Sequence, residues 1–255
     1  MASSSNAVPV GPVDWEKLHQ QPFLYEDGCW TTCGGGFCCS NDHPDFSFNF
    51  IPMQGTTIIY MEDEYRYLKS IGNVPELREA GEAPKEIVVS LGDGKELKLL
   101  HTTCRLLGRC DGVFQKPLLC RLYPVLPVFD VAGTLEEVIP GSIFDLTFDL
   151  IDSPTPCTVH GRSGEYLRQW TAKPELIDSL RHPYIMLYLR VAKIFSEAYR
   201  AGLSGNQRLT KLKGKRFWSR WELSYLTGKL ADSQRITSEA ATAYRELRTH
   251  YGEFL

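Results

Sequence analysis

Four of the eight cysteines, Cys29, Cys33, Cys38 and Cys39, fall within eleven residues, and none follows Cys157. Thiols that merely filled small apolar gaps would be scattered along the chain. Clustering asks for a cause that needs several sulfurs at one point. A disulfide framework is one such cause, but it belongs to oxidising compartments and to small domains poor in core. Metal ligation is the other, and it suits a reducing compartment, where thiolates persist. The opening residues Met1 to Asn6 include no basic segment and lead into no apolar run, so no signal peptide is expected. No apolar stretch approaches the roughly 18 residues of a bilayer span. These points predict a cytoplasmic location, no membrane partner, and metal rather than disulfides as the reason for the cysteines.

The remaining pattern predicts an α+β fold of two parts. An irregular cysteine-rich metal-binding module with short strands is expected over residues 24–160. A mostly helical, basic part follows over 161–255. In the first part, Thr56 to Tyr60 is β-branched and aromatic and reads as a strand. Met61, Tyr65, Leu68 and Ile71 then share one helical face, with Gly72 as a stop. Glu86 to Ser90 and Glu96 to Leu100 flank Gly92-Asp93-Gly94, which predicts a β-hairpin. Val125 to Phe129 is expected as an edge strand, because Pro127 cannot donate to a ladder. Phe144, Leu146, Phe148 and Leu150 alternate with Asp145, Thr147 and Asp149, which predicts a half-buried strand. In the second part, Tyr184, Leu187, Tyr188, Val191, Phe195 and Ala198 recur at helical spacing, with Pro183 at the start and Gly202 at the expected end. Ala240, Tyr244, Leu247 and Tyr251 mark a last helix.

The cysteines fall into two groups and a single residue. The first reads Cys29-x3-Cys33-x4-Cys38-Cys39, with Gly34-Gly35-Gly36 allowing a tight backbone between sulfurs. The second is Cys104-x5-Cys110-x9-Cys120, and Cys157 stands alone. Around the last cysteine of the second group the sequence is Pro117-Leu118-Leu119-Cys120-Arg121-Leu122-Tyr123-Pro124. On these residues the chain resembles the YkgJ-type cysteine-cluster family of zinc- or iron-chelating proteins, over about residues 29–160. That family has an N-terminal group ending in Cys-Cys and a middle segment ending Pro-x-x-Cys-Arg-x-[Tyr/Phe]-Pro. The chain departs from it at Arg105-Leu106-Leu107, where the family often has Pro-Phe-Leu, and in the basic C-terminal part, which lies outside the common module. The layout is also similar to that of the flagellin lysine methylases. That likeness implies S-adenosylmethionine-dependent methyl transfer, on layout rather than on matched catalytic residues.

The resemblance implies bound iron or zinc, with all eight cysteines as the ligand pool. Structural zinc favours four tetrahedral ligands on paired knuckles. The loose second group and the adjacent Cys38-Cys39 suit such a site poorly, since successive side chains of extended backbone point apart. An iron–sulfur cluster tolerates more varied spacing, which favours [4Fe–4S] with zinc as the alternative. Arg121 and Tyr123 are candidates for holding the cofactor, Arg121 by offsetting thiolate charge; a salt bridge and a packed ring would explain them equally well. His43, His101 and His160 stand near cysteines, as do the acids Asp42, Asp45, Glu62, Asp63 and Glu64. Ordinary surface, core or helix-start roles account for most such residues.

Charge divides the chain. Residues 1–158 hold 11 basic and 22 acidic side chains, a balance of −11, whereas residues 159–255 hold 17 and 9, a balance of +8. The halves could attract each other, or the basic part could take an acidic partner. Lys211, Lys213, Lys215, Arg216 and Arg220 interleave with Phe217, Trp218 and Trp221. A solvated helix face with buried rings is the plainest explanation, and nucleic acid is not expected because no nucleic-acid motif accompanies the stripe. Dinucleotide, P-loop, zincin and Gly-x-Ser-x-Gly signatures are absent.

The functional expectation is an iron–sulfur enzyme that performs redox or group-transfer chemistry on a small-molecule or protein substrate. A non-catalytic structural-zinc scaffold and a redox or metal sensor are the alternatives.

Overall fold

The hairpin expected around Gly92-Asp93-Gly94 forms most of the larger of two sheets. The computed structural model describes residues 10–21, 23, 41, 43–51, 53, 55–73, 84–104, 106, 116–152 and 163–255. Among these, β1 (Thr56–Met61), β2 (Lys85–Gly92) and β3 (Lys95–Cys104) make an antiparallel sheet in the order β1-β3-β2. Gly92 pairs with Lys95 across a two-residue loop. Asp93 and Gly94 both have positive φ, 52° and 72°. That backbone matches the twist of the flanking strands and favours residues of this kind.

The strand period of two divides β1 and β3 between two cores. Leu97 and Leu99 face the main core, while Leu100 and Cys104 lie on the opposite side of the sheet. The register pairs Tyr60 with Leu100, Ile58 with Thr102 and Thr56 with Cys104. Ile58, Tyr60 and Cys104 therefore share one face. Helix α2 (Glu62–Ser70) follows β1 directly and covers that face with Tyr65 and Leu68. Ile71, expected on the same apolar stripe, lies beyond the helix end and is exposed.

The short helices α1 (Trp15–His19) and α3 (Leu118–Leu122) flank this region. Strands β4 (Val125–Phe129) and β5 (Leu135–Pro140) make a second, two-stranded sheet. Each is an edge strand, so Pro127 costs no ladder bond with a second neighbour.

Residues 143–150 are helical, not a strand. Helix α4 (Ile143–Leu150) is capped by Ser142, whose Oγ accepts the Phe144 N–H at 3.2 Å. The alternation misleads because two of its polar members, Asp145 and Thr147, are buried too, and only Asp149 is exposed. Asp145 meets the Tyr123 hydroxyl at 3.2 Å, and Thr147 bonds the Ile143 carbonyl and the Tyr199 hydroxyl. A polar residue with a buried partner does not mark a solvent face.

The rest is helical: α5 (Ser163–Thr171), α6 (Pro174–Leu180), α7 (Pro183–Gly205), α8 (Gln207–Thr210), α9 (Gly214–Leu226) and α10 (Ser233–Tyr251). Pro183 opens α7 as expected, with His182 as its cap. Gly202 does not end it. A Cβ at Gly202 would sit 2.7 Å from the Leu230 carbonyl carbon, so glycine is needed there for close packing.

Helix α7 packs against α10, α4 and β4, and α10 packs against β2. The main core thus draws on both sides of residue 160, joining Leu97, Phe129 and Leu126 to Leu187, Tyr244 and Leu247. A second core is aromatic: Phe46, Phe144 and Phe148 meet Trp218 and Trp221. Its rings lie 4.5–6.3 Å apart in tilted and edge arrangements, for example Phe46 to Trp218 at 4.5 Å. Each such pair adds about 0.5–1.5 kcal/mol beyond its buried area. No described helix is long and apolar enough to cross a membrane.

Candidate metal centre

Cys104 and Cys120 are sixteen positions apart in sequence and both border the small third core. Cys104 closes β3 and is buried, facing the side of the sheet that carries Ile58 and Tyr60. Cys120 lies in the middle of α3, which packs on β1, and is half-buried against the same cluster. Both are thiols. Successive α3 residues point in different directions. Leu118 and Leu122 enter the main core, Cys120 turns to the third, and Arg121 is buried toward the N-terminal segment. Cys29, Cys33, Cys38, Cys39, Cys110 and Cys157 lie outside the described residues. Among the described residues, no three His, Cys, Asp or Glu side chains form a group that could hold a metal ion. The two thiols are soft donors of the kind that iron–sulfur clusters and zinc accept.

Arg121 is fully buried. Its guanidinium donates to the carbonyls of Leu18, His19 and Gln21, the His19 bond being 2.6 Å long, and lies 5.1 Å above the Phe23 ring. These contacts fasten the end of α1 to the cysteine-bearing α3. Burial lowers its pKa to about 10, opposed by the negative charge of Glu64. Tyr123 turns to Asp145 and packs against the aromatic core.

Glu64 is the one acid of the candidate group that is buried with described partners. One oxygen accepts the Leu118 N–H at 2.5 Å and lies 3.3 Å from His19 Nε2. The carboxylate thus holds the start of α3, two residues before Cys120. Neither ring nitrogen of His19 has a hydrogen-bond partner among the described residues, and the ring sits 5.5 Å from that of Tyr67. Tyr188, from α7, completes the surroundings. Burial raises its hydroxyl pKa well above the usual value, and the nearby Glu64 and Cys120 add to the rise. Helices α1, α2, α3 and α7 therefore converge on one buried polar knot beside Cys120.

The other candidates lie elsewhere. His43 accepts the Asp45 N–H through Nδ1 and packs its ring 5.1 Å from Phe46. His101 pairs with Ile59 and Lys85 within the sheet, and burial together with Lys85 lowers its pKa. Glu62 and Asp63 pair with Arg66 on the exposed side of α2. His160 and Asp42 lie outside the described residues. The basic stripe follows the plain reading, since Phe217, Trp218 and Trp221 are buried and Lys215, Arg216 and Arg220 are exposed.

Sequence reasoning did not single out His19 or Glu222. Glu222 is fully buried in α9 and accepts the N–H groups of Asn49, Phe50 and Ile51. The one available signal was its isolation as the sole acid between Glu197 and Glu239 apart from Asp232.

No family model, curated protein or solved structure matches this chain.

Proposed function

We propose that the chain is a metal-cluster enzyme whose cysteines hold an iron–sulfur cluster, [4Fe–4S] in preference to zinc, for redox or group-transfer chemistry. The observation that carries the reading is that Cys104, at a strand end, and Cys120, in a helix, both border one small core. Each belongs to the motif on which the chain resembles the YkgJ-type family. The ligand pool is Cys29, Cys33, Cys38, Cys39, Cys104, Cys110, Cys120 and Cys157. A thiolate-held cluster supplies electron transfer, or an open iron position for a substrate heteroatom.

The chain's own residues supply position. Arg121 and Glu64 fix α3 from two sides, through backbone carbonyls and the Leu118 N–H. The packed face of Ile58, Tyr60 and Tyr65 buries Cys104, while Cys120 stays half-exposed at its edge. Purification under nitrogen tests the reading. Brown protein with a broad visible charge-transfer band and matching iron and sulfide supports it. Colourless protein with stoichiometric zinc, or with no metal, refutes it.

A further inference from the structure

Between Glu197 and Glu222 the chain has no acidic residue and seven basic ones. Helix α9 turns the end of this stretch into a surface. Its apolar arc is buried and its opposite arc presents Lys215, Arg216, Ser219, Arg220 and Leu223. With Leu212 they line a shallow, open depression on the outer face of the helix. Lys215, Arg216 and Arg220 form no ion pair among the described residues. The nearest acid on the helix, Glu222, faces inward and is taken up by the backbone of residues 49–51. Asp45 lies near Gly214 at the helix start, a turn before Arg216. Like charges held this close on a rigid helix repel one another, and a bound anion relieves that repulsion.

We infer that this basin binds a phosphate ester of nucleotide size. Arg216 and Arg220, four residues apart, stand on neighbouring turns of one face. Their planar forks suit bidentate phosphate contacts, with Lys215 as a point charge and the Ser219 hydroxyl as a further donor. Leu212 and Leu223 give an apolar or planar group attached to the phosphate a surface to rest on. The inference is independent of the cysteines.

Titration calorimetry on the full chain with pyrophosphate and with ATP tests it, and the fluorescence of Trp218 and Trp221, buried in the same helix, gives a second readout. Saturable binding is expected, tighter for ATP. It should weaken at least about tenfold in the double variant R216Q/R220Q and stay unchanged in R208Q, which alters a basic residue outside the basin. These variants are at exposed positions, and a thermal melt checks that they fold. The inference is overturned if neither probe saturates or if R216Q/R220Q binds as tightly as the natural chain. It is also overturned if only phosphatidylglycerol vesicles or single-stranded oligonucleotides bind.

Discussion

Glu222, in the middle of α9, accepts the Phe50 N–H at 2.7 Å although 172 residues separate the two in sequence. The same carboxylate takes the N–H groups of Asn49, at 2.8 Å, and Ile51, at 2.7 Å. One side chain thereby satisfies a turn of backbone beside the aromatic core. Replacing it with glutamine swaps one acceptor oxygen for an NH₂ that faces donors. Glu222→Gln should destabilise the fold by about 3 kcal/mol, the scale of a buried charged hydrogen-bond set left incomplete. Urea denaturation measures it, and a midpoint equal to that of the natural chain would contradict the described role.

Two glycines of α7 should respond in opposite ways. Gly202 lies against the Leu230 carbonyl, whereas a Cβ at Gly205 would meet nothing within 4 Å. Gly202→Ala should cost about 2 kcal/mol or more through forced backbone movement. Gly205→Ala should be neutral or stabilise by up to about 1 kcal/mol. Thermal melts of both variants side by side separate a packing role for Gly202 from a generic glycine effect.

Arg121 joins α1 to α3 through three backbone carbonyls. Arg121→Ala leaves several buried carbonyls without their charged donor, at a cost of about 3 kcal/mol. Lysine keeps the charge but not the fork, so Arg121→Lys should recover less than half of the loss. Equal stability of the lysine variant and the natural chain, by chemical denaturation, would show that charge alone suffices.

His182 makes stability depend on pH. Its Nδ1 accepts the Tyr184 N–H at 3.2 Å, so at 2.9 Å from the Gly11 carbonyl it is Nε2 that carries the proton. Burial lowers its pKa below the usual 6.5, against the opposing Gly11 bond. The unfolded chain therefore binds a proton more readily than the folded one. The stabilising contribution is complete above 6.5 and is lost as pH falls from there toward the lowered folded value. His101, lowered by burial and Lys85, acts in the same direction. His182→Asn keeps a capping acceptor without titrating. Its stability should fall less than that of the natural chain between about pH 7.5 and 5.5. Parallel melting curves over this range would contradict the assignment.

Local chemistry was readable in the sequence where it decided the outcome locally. Asp93-Gly94 dictated a tight hairpin turn, Pro183 opened α7, and the rings and charges of α9 divided between core and solvent as their spacing indicated. Three features depended on partners far along the chain. The alternation from Phe144 to Leu150 looked like a strand because nothing in the sequence showed that Asp145 would meet Tyr123 or Thr147 meet Tyr199. Gly202 looked like a helix end because Leu230, whose carbonyl crowds it, lies beyond α9. His19 carried no local mark, and Glu222 only its isolation among basic residues, since the roles of both come from tertiary burial. At the candidate centre the grouping of cysteines was legible. The buried Glu64 that braces α3 through the Leu118 N–H was not, because that bond joins residues 54 positions apart.

The central claim is that Cys104 and Cys120 hold a shared inorganic centre. Iron, sulfide and zinc should be quantified in the natural chain and in Cys104→Ser and Cys120→Ser, all purified under nitrogen. The claim predicts stoichiometric iron and sulfide in the natural chain and loss of both in each folded variant. Iron and sulfide absent from the natural chain, or retained unchanged in both variants, would contradict it.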